Sequence, residues 1–150
     1  MSDIVIELEN GAVVGSTSGN TVVFKGIPYA KPPIGELRWR PPVELDPWPE
    51  AIQAKKYPSA AWQLGVDTKL FIAEIINQSG FSTVKRNLFK ALFSRFGQSS
   101  ESEDCLYLNI RTPSEKKQTG LPVMIWIHGG DHQDGSGNGF PYETDVFCDE

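Results

Sequence analysis

"VMIWIHGGDHQDGSGNG", Val123–Gly139, decides how the rest of the chain is read. From Leu121 to His128 the sequence "LPVMIWIH" is nearly continuous in apolar residues, and it then breaks into glycines. A strand with one wet face alternates. A run that is apolar at nearly every position fits a strand buried on both faces of an α/β sheet. Glycine directly after such a strand lets the backbone come close to a ligand, because no Cβ stands in the way.

Three chemistries use this arrangement. A phosphate loop needs a pattern such as G-x-G-x-x-G or G-x-x-x-x-G-K-[ST]. Here Gly135, Gly137 and Gly139 alternate, and no Gly-Lys-Ser/Thr follows. A metal site would draw on His128, Asp131, His132 and Asp134. Histidines at i and i+4 share a face only on a helix, Gly129-Gly130 opposes a helix, and no cysteine or glutamate completes the set. The third chemistry is an oxyanion hole. Ester hydrolysis puts negative charge on the former carbonyl oxygen, and backbone N–H groups fixed in advance stabilise it by several kcal/mol. Esterases and lipases do this with an HGGG-type loop. "HGG" alone also fits a simple glycine turn.

Toward the N-terminus, "DIVIEL" (Asp3–Leu8) places acidic residues around an apolar centre with strand periodicity, and "ENG" follows as a hairpin signal. "AVVGS" is the return strand, "TSGN" a second turn and "TVVFKGI" (Thr21–Ile27) a third strand. Residues 1–27 thus read as a small antiparallel meander. Residues 28–63 carry prolines at Pro28, Pro32, Pro33, Pro41, Pro42, Pro47, Pro49 and Pro58. Proline lacks a donor and fixes φ, so neither a helix nor a central strand persists there. Tyr29, Leu37, Trp39 and Trp48 suggest an ordered coil pinned by apolar side chains.

Residues 64–100 change character. "VDTKLFIAEIINQ" puts Leu70, Phe71, Ala73, Ile75 and Ile76 at helical spacing behind a cap at Asp67. "FSTVKRNLFKALFSRFG" spaces Val84, Leu88, Leu92 and Phe96 four apart and ends at Gly97, an amphipathic helix. Such a basic helix can lie on a membrane, but its apolar stripe more commonly covers its own domain. In residues 101–150, "CLYLNIR" (Cys105–Arg111) alternates as a strand before the decisive run.

The 150 residues are 39% hydrophobic and 22% charged, a globular composition. A net charge of -5 offers no footprint for nucleic acid or an anionic membrane. No stretch approaches the roughly 18 apolar residues of a membrane span. The acidic N-terminus lacks the basic and apolar regions of a secretory signal, so a cytoplasmic chain is expected. Cys105 and Cys148 are then expected to be reduced thiols.

Four stretches, in order, carry a resemblance: "FKGIPYAKPPIGELRWRPP", "WPEAIQAKKYPSAAWQ", "SEDCLYLNI" and "PVMIWIHGGDHQDGSG". Together they make the chain similar to the type-B carboxylesterase/cholinesterase family of α/β-hydrolases, over nearly its whole length except about residues 64–100. The resemblance implies an α/β fold, here an incomplete α/β-hydrolase: meander, proline-rich coil, helical insert and the first strands of the central sheet. It implies that the backbone N–H groups of Gly130 and Asp131 face the oxyanion, that His128 and Gly129 shape the loop, and that a third donor follows a serine nucleophile. It also implies that Arg38 pairs with Glu103. A bidentate guanidinium–carboxylate contact would tie the coil to the next strand. Two solvated charges would contribute under about 1 kcal/mol.

Three departures from the family pattern stand out. Asp131 replaces a third loop glycine, and His132 an aromatic. The first family cysteine falls near Ala60-Ala61, so the disulfide that the resemblance implies for Cys105 cannot form. Residues 64–100 replace a shorter loop, which suggests a helical lid or cap. A carboxylate aimed at an oxyanion 4 Å away would oppose it by roughly 4 kcal/mol at an effective dielectric near 20. Asp131 is therefore expected to donate its N–H while its carboxylate turns away, toward His132 or a loop N–H.

No G-x-S-x-G nucleophile elbow occurs in these residues, and neither histidine stands where the family places its base. The chain resembles the first quarter to third of such an enzyme, and a truncated frame or fragment is expected. One expectation is a carboxylic-ester hydrolase segment that supplies the oxyanion loop, needs no cofactor or metal, takes a small-molecule ester and is inactive alone. The other is a non-catalytic interaction protein on the same fold. Downstream sequence carrying a serine elbow, an acid and a histidine would separate them.

Overall fold

The computed structural model describes residues 2–63, 74–93, 100–114, 120–138 and 142–148. A five-stranded sheet organises them. Strands β1 (Asp3–Leu8) and β2 (Gly11–Ser18) form an antiparallel hairpin with Leu8 opposite Gly11. The two-residue connection is therefore Glu9-Asn10, one residue earlier than Asn10-Gly11. Strand β3 (Thr21–Pro28) returns through Gly19-Asn20, with Ser18 opposite Thr21 and Gly19 at φ 58°. This is the meander expected of the alternating N-terminal sequence, with β2 running past "AVVGS" at both ends.

β3 stays beside β2 only through Val23. The short strand β4 (Ile52–Gln53) then pairs parallel to Val13 and Val14 of β2. Just beyond it, the Lys25 N–H donates to the Ala54 carbonyl at 2.8 Å. The core lies here: Val13, Val22, Phe24, Ile27 and Ala54 are buried, with Ile4, Ile6, Trp48 and Ile52 against them. Strand β5 (Tyr107–Pro113) runs antiparallel along β3, with an irregularity between Lys25 and Ile27.

Between β3 and β4 the chain makes one turn of 3-10 helix (Gly35–Leu37) and no strand, in keeping with its prolines. Its order comes from Trp48. The indole Nε1–H donates to the Ala12 carbonyl at 2.9 Å, the Trp48 amide to the Asn10 carbonyl at 2.8 Å, and Asn10 Nδ2 to the Leu45 carbonyl at 3.1 Å. Trp39, expected to help pin this coil, is instead 96% exposed with φ 57°. Apolar character sets a preference for burial but does not supply a surface to bury against.

Two further expectations are corrected. The run Leu121–His128 is not a buried strand. It has no ladder partner among the described residues, and Val123, Ile125 and Ile127 are 87%, 81% and 83% exposed. A strand exists only through a neighbour's N–H and C=O groups, and a buried one also needs covered faces. Among the described residues, Trp126 of this run meets the Tyr142 ring, with centroids 5.3 Å apart. Helix α1 (Thr83–Phe93) forms as its period predicts, entered through Ser82, whose Oγ lies 3.5 Å from the Lys85 N–H. Of its stripe, Val84 and Leu88 are exposed and cover none of the described core, while the neighbouring Phe89 stacks on Phe81 at 5.6 Å. Phe96, Gly97 and the cap at Asp67 with Leu70, Phe71 and Ala73 lie outside the described residues. Residues 74–78 are helical, and Ile76 is buried. No described helix is long and apolar enough to cross a membrane.

Candidate functional site

The glycine loop is a tight turn with an unusual backbone. Gly130 sits at φ 134°, and Asp131 and His132 follow at 55° and 59°. L-residues avoid the left-handed region because Cβ crowds the following carbonyl, though Asp and His tolerate it better than most. The Gly130 carbonyl accepts from the Gln133 N–H at 2.9 Å and the Asp134 N–H at 3.1 Å, which closes the turn. A Cβ on Gly130 would meet the Asp134 carbonyl, with Asp134 Oδ1 2.7 Å away. The position admits only glycine, for a reason internal to the loop.

The chain then crosses itself. Gly135, at φ 101°, passes so close to the Gly129 carbonyl and the His128 ring that a Cβ would lie 2.9 Å from His128 Nδ1. His128 Nδ1 is 2.7 Å from the Gly129 carbonyl oxygen. A carbonyl only accepts, so Nδ1 carries the proton in this contact. His128 and Gly129 therefore form the near limb against which Gly135 packs.

Within the turn, the amides of Gly130 and Asp131 donate no hydrogen bond among the described residues, and both residues are accessible to solvent. Two adjacent N–H groups in a closed turn, with no acceptor among the described residues, are the kind of donor that stabilises an oxygen gaining charge. The Asp131 side chain is exposed. It makes no hydrogen bond to His132 or to a loop amide among the described residues, so the expected partner for its carboxylate is not seen. Among the described residues no cluster of three or more His, Cys, Asp or Glu could hold a metal ion.

Arg38 and Glu103 come together: Arg38 Nη2 lies 2.6 Å from Glu103 Oε1. Arg38 is largely exposed, so the pair contributes little stability. Cys105 and Cys148 are both unbonded. Burial, then the nearby Asp104 and Glu103 carboxylates, push the Cys105 thiol up, which makes it a poor nucleophile at neutral pH.

Three residues that sequence reasoning passed over hold the loop to the sheet. The Gly135 N–H donates to Gln63 Oε1 at 2.6 Å, and Gln63 Nε2 donates back to the Gly135 carbonyl at 3.1 Å. Asn138 Nδ2 donates to the Pro58 carbonyl at 3.0 Å. Asn109 of β5 donates to Asn138 Oδ1 at 3.2 Å and accepts from the Gly26 N–H at 2.9 Å, at the irregularity in β3. Asn138 lies in a polar loop with no periodic signal, and the period that marks β5 does not reveal what its Asn109 side chain meets. Gln63 alone was approachable, as the last residue of "WPEAIQAKKYPSAAWQ".

Beyond the loop, Glu143 accepts from Lys25 Nζ at 2.7 Å and from the Tyr57 hydroxyl at 2.6 Å, and Arg111 pairs with Asp145. Lys25 Nζ also lies 4.0 Å from the centre of the Tyr57 ring. These contacts fasten residues 142–148 to β3 and β5.

Comparisons with known proteins agree on one family. The profile of the carboxylesterase family matches residues 2–150. Fumonisin B1 esterase of Sphingopyxis macrogoltabida is 37% identical over 134 residues, which is 89% of this chain and 20% of that protein. Liver carboxylesterase 1 of Mus musculus is 38% identical over 133 residues, 84% of this chain and 21% of that protein. A solved PNB esterase superposes with a TM-score of 0.70 at 28% identity, covering 96% of this chain and 24% of its own. The chain thus spans about a fifth to a quarter of the length of these relatives.

Proposed function

The chain belongs to the carboxylesterase family, and from that premise we propose that it supplies the oxyanion loop of a carboxylic-ester hydrolase with the α/β-hydrolase fold. The observation that carries this is the closed turn at Gly130–Asp134, with no acceptor for the Gly130 and Asp131 amides among the described residues. In the proposed reaction a serine attacks the ester carbonyl, and the oxygen of the tetrahedral intermediate takes both N–H groups. That contact strengthens as charge develops, which lowers the barrier rather than merely binding substrate. Water then releases the acyl group, and no cofactor enters.

Serine elbow, acid and base are not among these 150 residues, so the chain by itself is expected not to turn over esters. The purified chain should release nitrophenol from a short-chain nitrophenyl ester at the background rate. Turnover sensitive to a serine-directed organophosphate would overturn this. Joined to a polypeptide carrying the remainder of a carboxylesterase, the chain should support turnover. Gly130→Val in that assembly should then cost at least about a hundredfold, the scale of losing an oxyanion donor. Equal rates in the two would show that the loop does not serve the oxyanion.

A further inference from the structure

We infer that Gln63 is the positioning residue of the glycine loop, through a side chain that pairs with Gly135 as a neighbouring strand would. In an antiparallel ladder, a hydrogen-bonded residue pair exchanges an N–H···O bond in each direction. The Gln63 amide does the same from a side chain: Oε1 accepts from the Gly135 N–H at 2.6 Å and Nε2 donates to the Gly135 carbonyl at 3.1 Å. The second Nε2 hydrogen goes to the Ala61 carbonyl at 3.0 Å, a local contact that orients the amide toward the loop. Only an amide offers an acceptor and two donors in this plane, and this network assigns which end is which.

Gly135 is where such a hold reaches the site. A Cβ there would meet the Gly129 carbonyl and the His128 ring, and Gly129 adjoins Gly130, whose carbonyl closes the turn. A displacement of Gly135 would therefore press on Gly129, the direct neighbour of the Gly130 and Asp131 amides. The turn's own two hydrogen bonds set its shape, while Gln63 sets where that shape sits relative to the sheet. Asn138 and Asn109 hold the outgoing limb, so the loop is tied at two points. Oxyanion donors act only if already in place when charge develops. The purpose assigned to Gln63 thus rests on the esterase reading, whereas its hold on Gly135 is independent of it.

The test is hydrogen exchange by mass spectrometry on the whole chain, comparing the peptide over residues 128–138 with peptides from β1–β3. Gln63→Ala should speed exchange in the loop peptide by about tenfold, the scale of one or two lost hydrogen bonds, with the sheet peptides unchanged. Gln63→Glu gives the sharper result. Its carboxylate keeps an acceptor for the Gly135 N–H but presents an oxygen to the Gly135 carbonyl. Protonated, it regains one donor and one acceptor. Loop protection relative to wild type at the same pH should therefore be lost at neutral pH. It should return as pH falls through the carboxyl pKa, ordinarily about 4.3. A merely space-filling side chain would show no such profile. Unchanged loop exchange in Gln63→Ala, a pH-independent Gln63→Glu, or equal loss in loop and sheet would each overturn the inference. Because no readout involves hydrolysis, failure here is distinct from failure of the nitrophenyl ester test.

Discussion

Asp131 and His132 hold left-handed backbone side by side, a conformation that costs L-residues roughly 1 kcal/mol or more each. The cost is carried because Gly130 closes the turn over them. Asp131→Gly should therefore stabilise the loop by up to about 1 kcal/mol, partly offset by the greater freedom of glycine in the unfolded chain. Asp131→Asn should be near neutral, since Asn accepts this region readily. Gly130→Ala should do the opposite, by about 1–3 kcal/mol, because its Cβ meets the Asp134 carbonyl at a φ that favours glycine. Exchange over residues 128–138 would register all three, and a Gly130→Ala loop as protected as wild type would refute this account. Of this site, the sequence showed the glycines and hence the permissive backbone. It could not show that Gly130 answers to Asp134, because that contact depends on how the turn closes.

At the scale of elements, the cluster on Glu143 joins β3, the chain at Tyr57 and the segment after the loop. Hydrogen bonds from Lys25 and then from Tyr57 hold the Glu143 carboxyl below its usual value, against a smaller opposing effect of burial. A carboxyl whose folded pKa is depressed contributes stability above its unfolded pKa and loses it as pH falls through the folded one. Glu143→Gln should therefore lower stability at pH 7, by about 1 kcal/mol or less since the pair is partly exposed. The gap from wild type should close as pH falls below about 4. Urea titrations of both proteins across that range measure it, and a gap that widens in acid would contradict the assignment. Periodicity located the first three strands and α1, because each pattern is local. It placed Leu121–His128 in a buried strand, and there it failed: burial on two faces is a property of neighbours.

For the molecule as a whole, the dominant feature is the exposed apolar run with Val123, Ile125 and Ile127 in the open. An apolar segment with unpaired backbone is a template for association. The isolated chain should self-associate in a concentration-dependent way. Ile125 and Ile127 are two apart, so they share a face of an extended chain. Replacing both with lysine should shift the population strongly toward monomer in sedimentation velocity. A wild-type chain that stays monomeric at high micromolar concentration would rule this out.

"GIPYAKPPIGELR" and "SEDCLYLNI" carried the family, and alternation carried the meander, because side-chain period and chain stiffness act between near neighbours in sequence. Composition likewise determined that the chain would pack a core, and the prolines that residues 28–63 would be mostly coil, although Pro28 closes β3 and Ile52–Gln53 form β4, a pairing with β2 that no local signal announced. Which apolar residues found that core, Trp48 but not Trp39, was settled only by the folded chain. So was the hold on the glycine loop, where Gln63 meets Gly135 and Asn138 meets Pro58. Those contacts join residues far apart in sequence, and a hydrogen bond needs distance and angle that exist only once the sheet has brought both partners to one place.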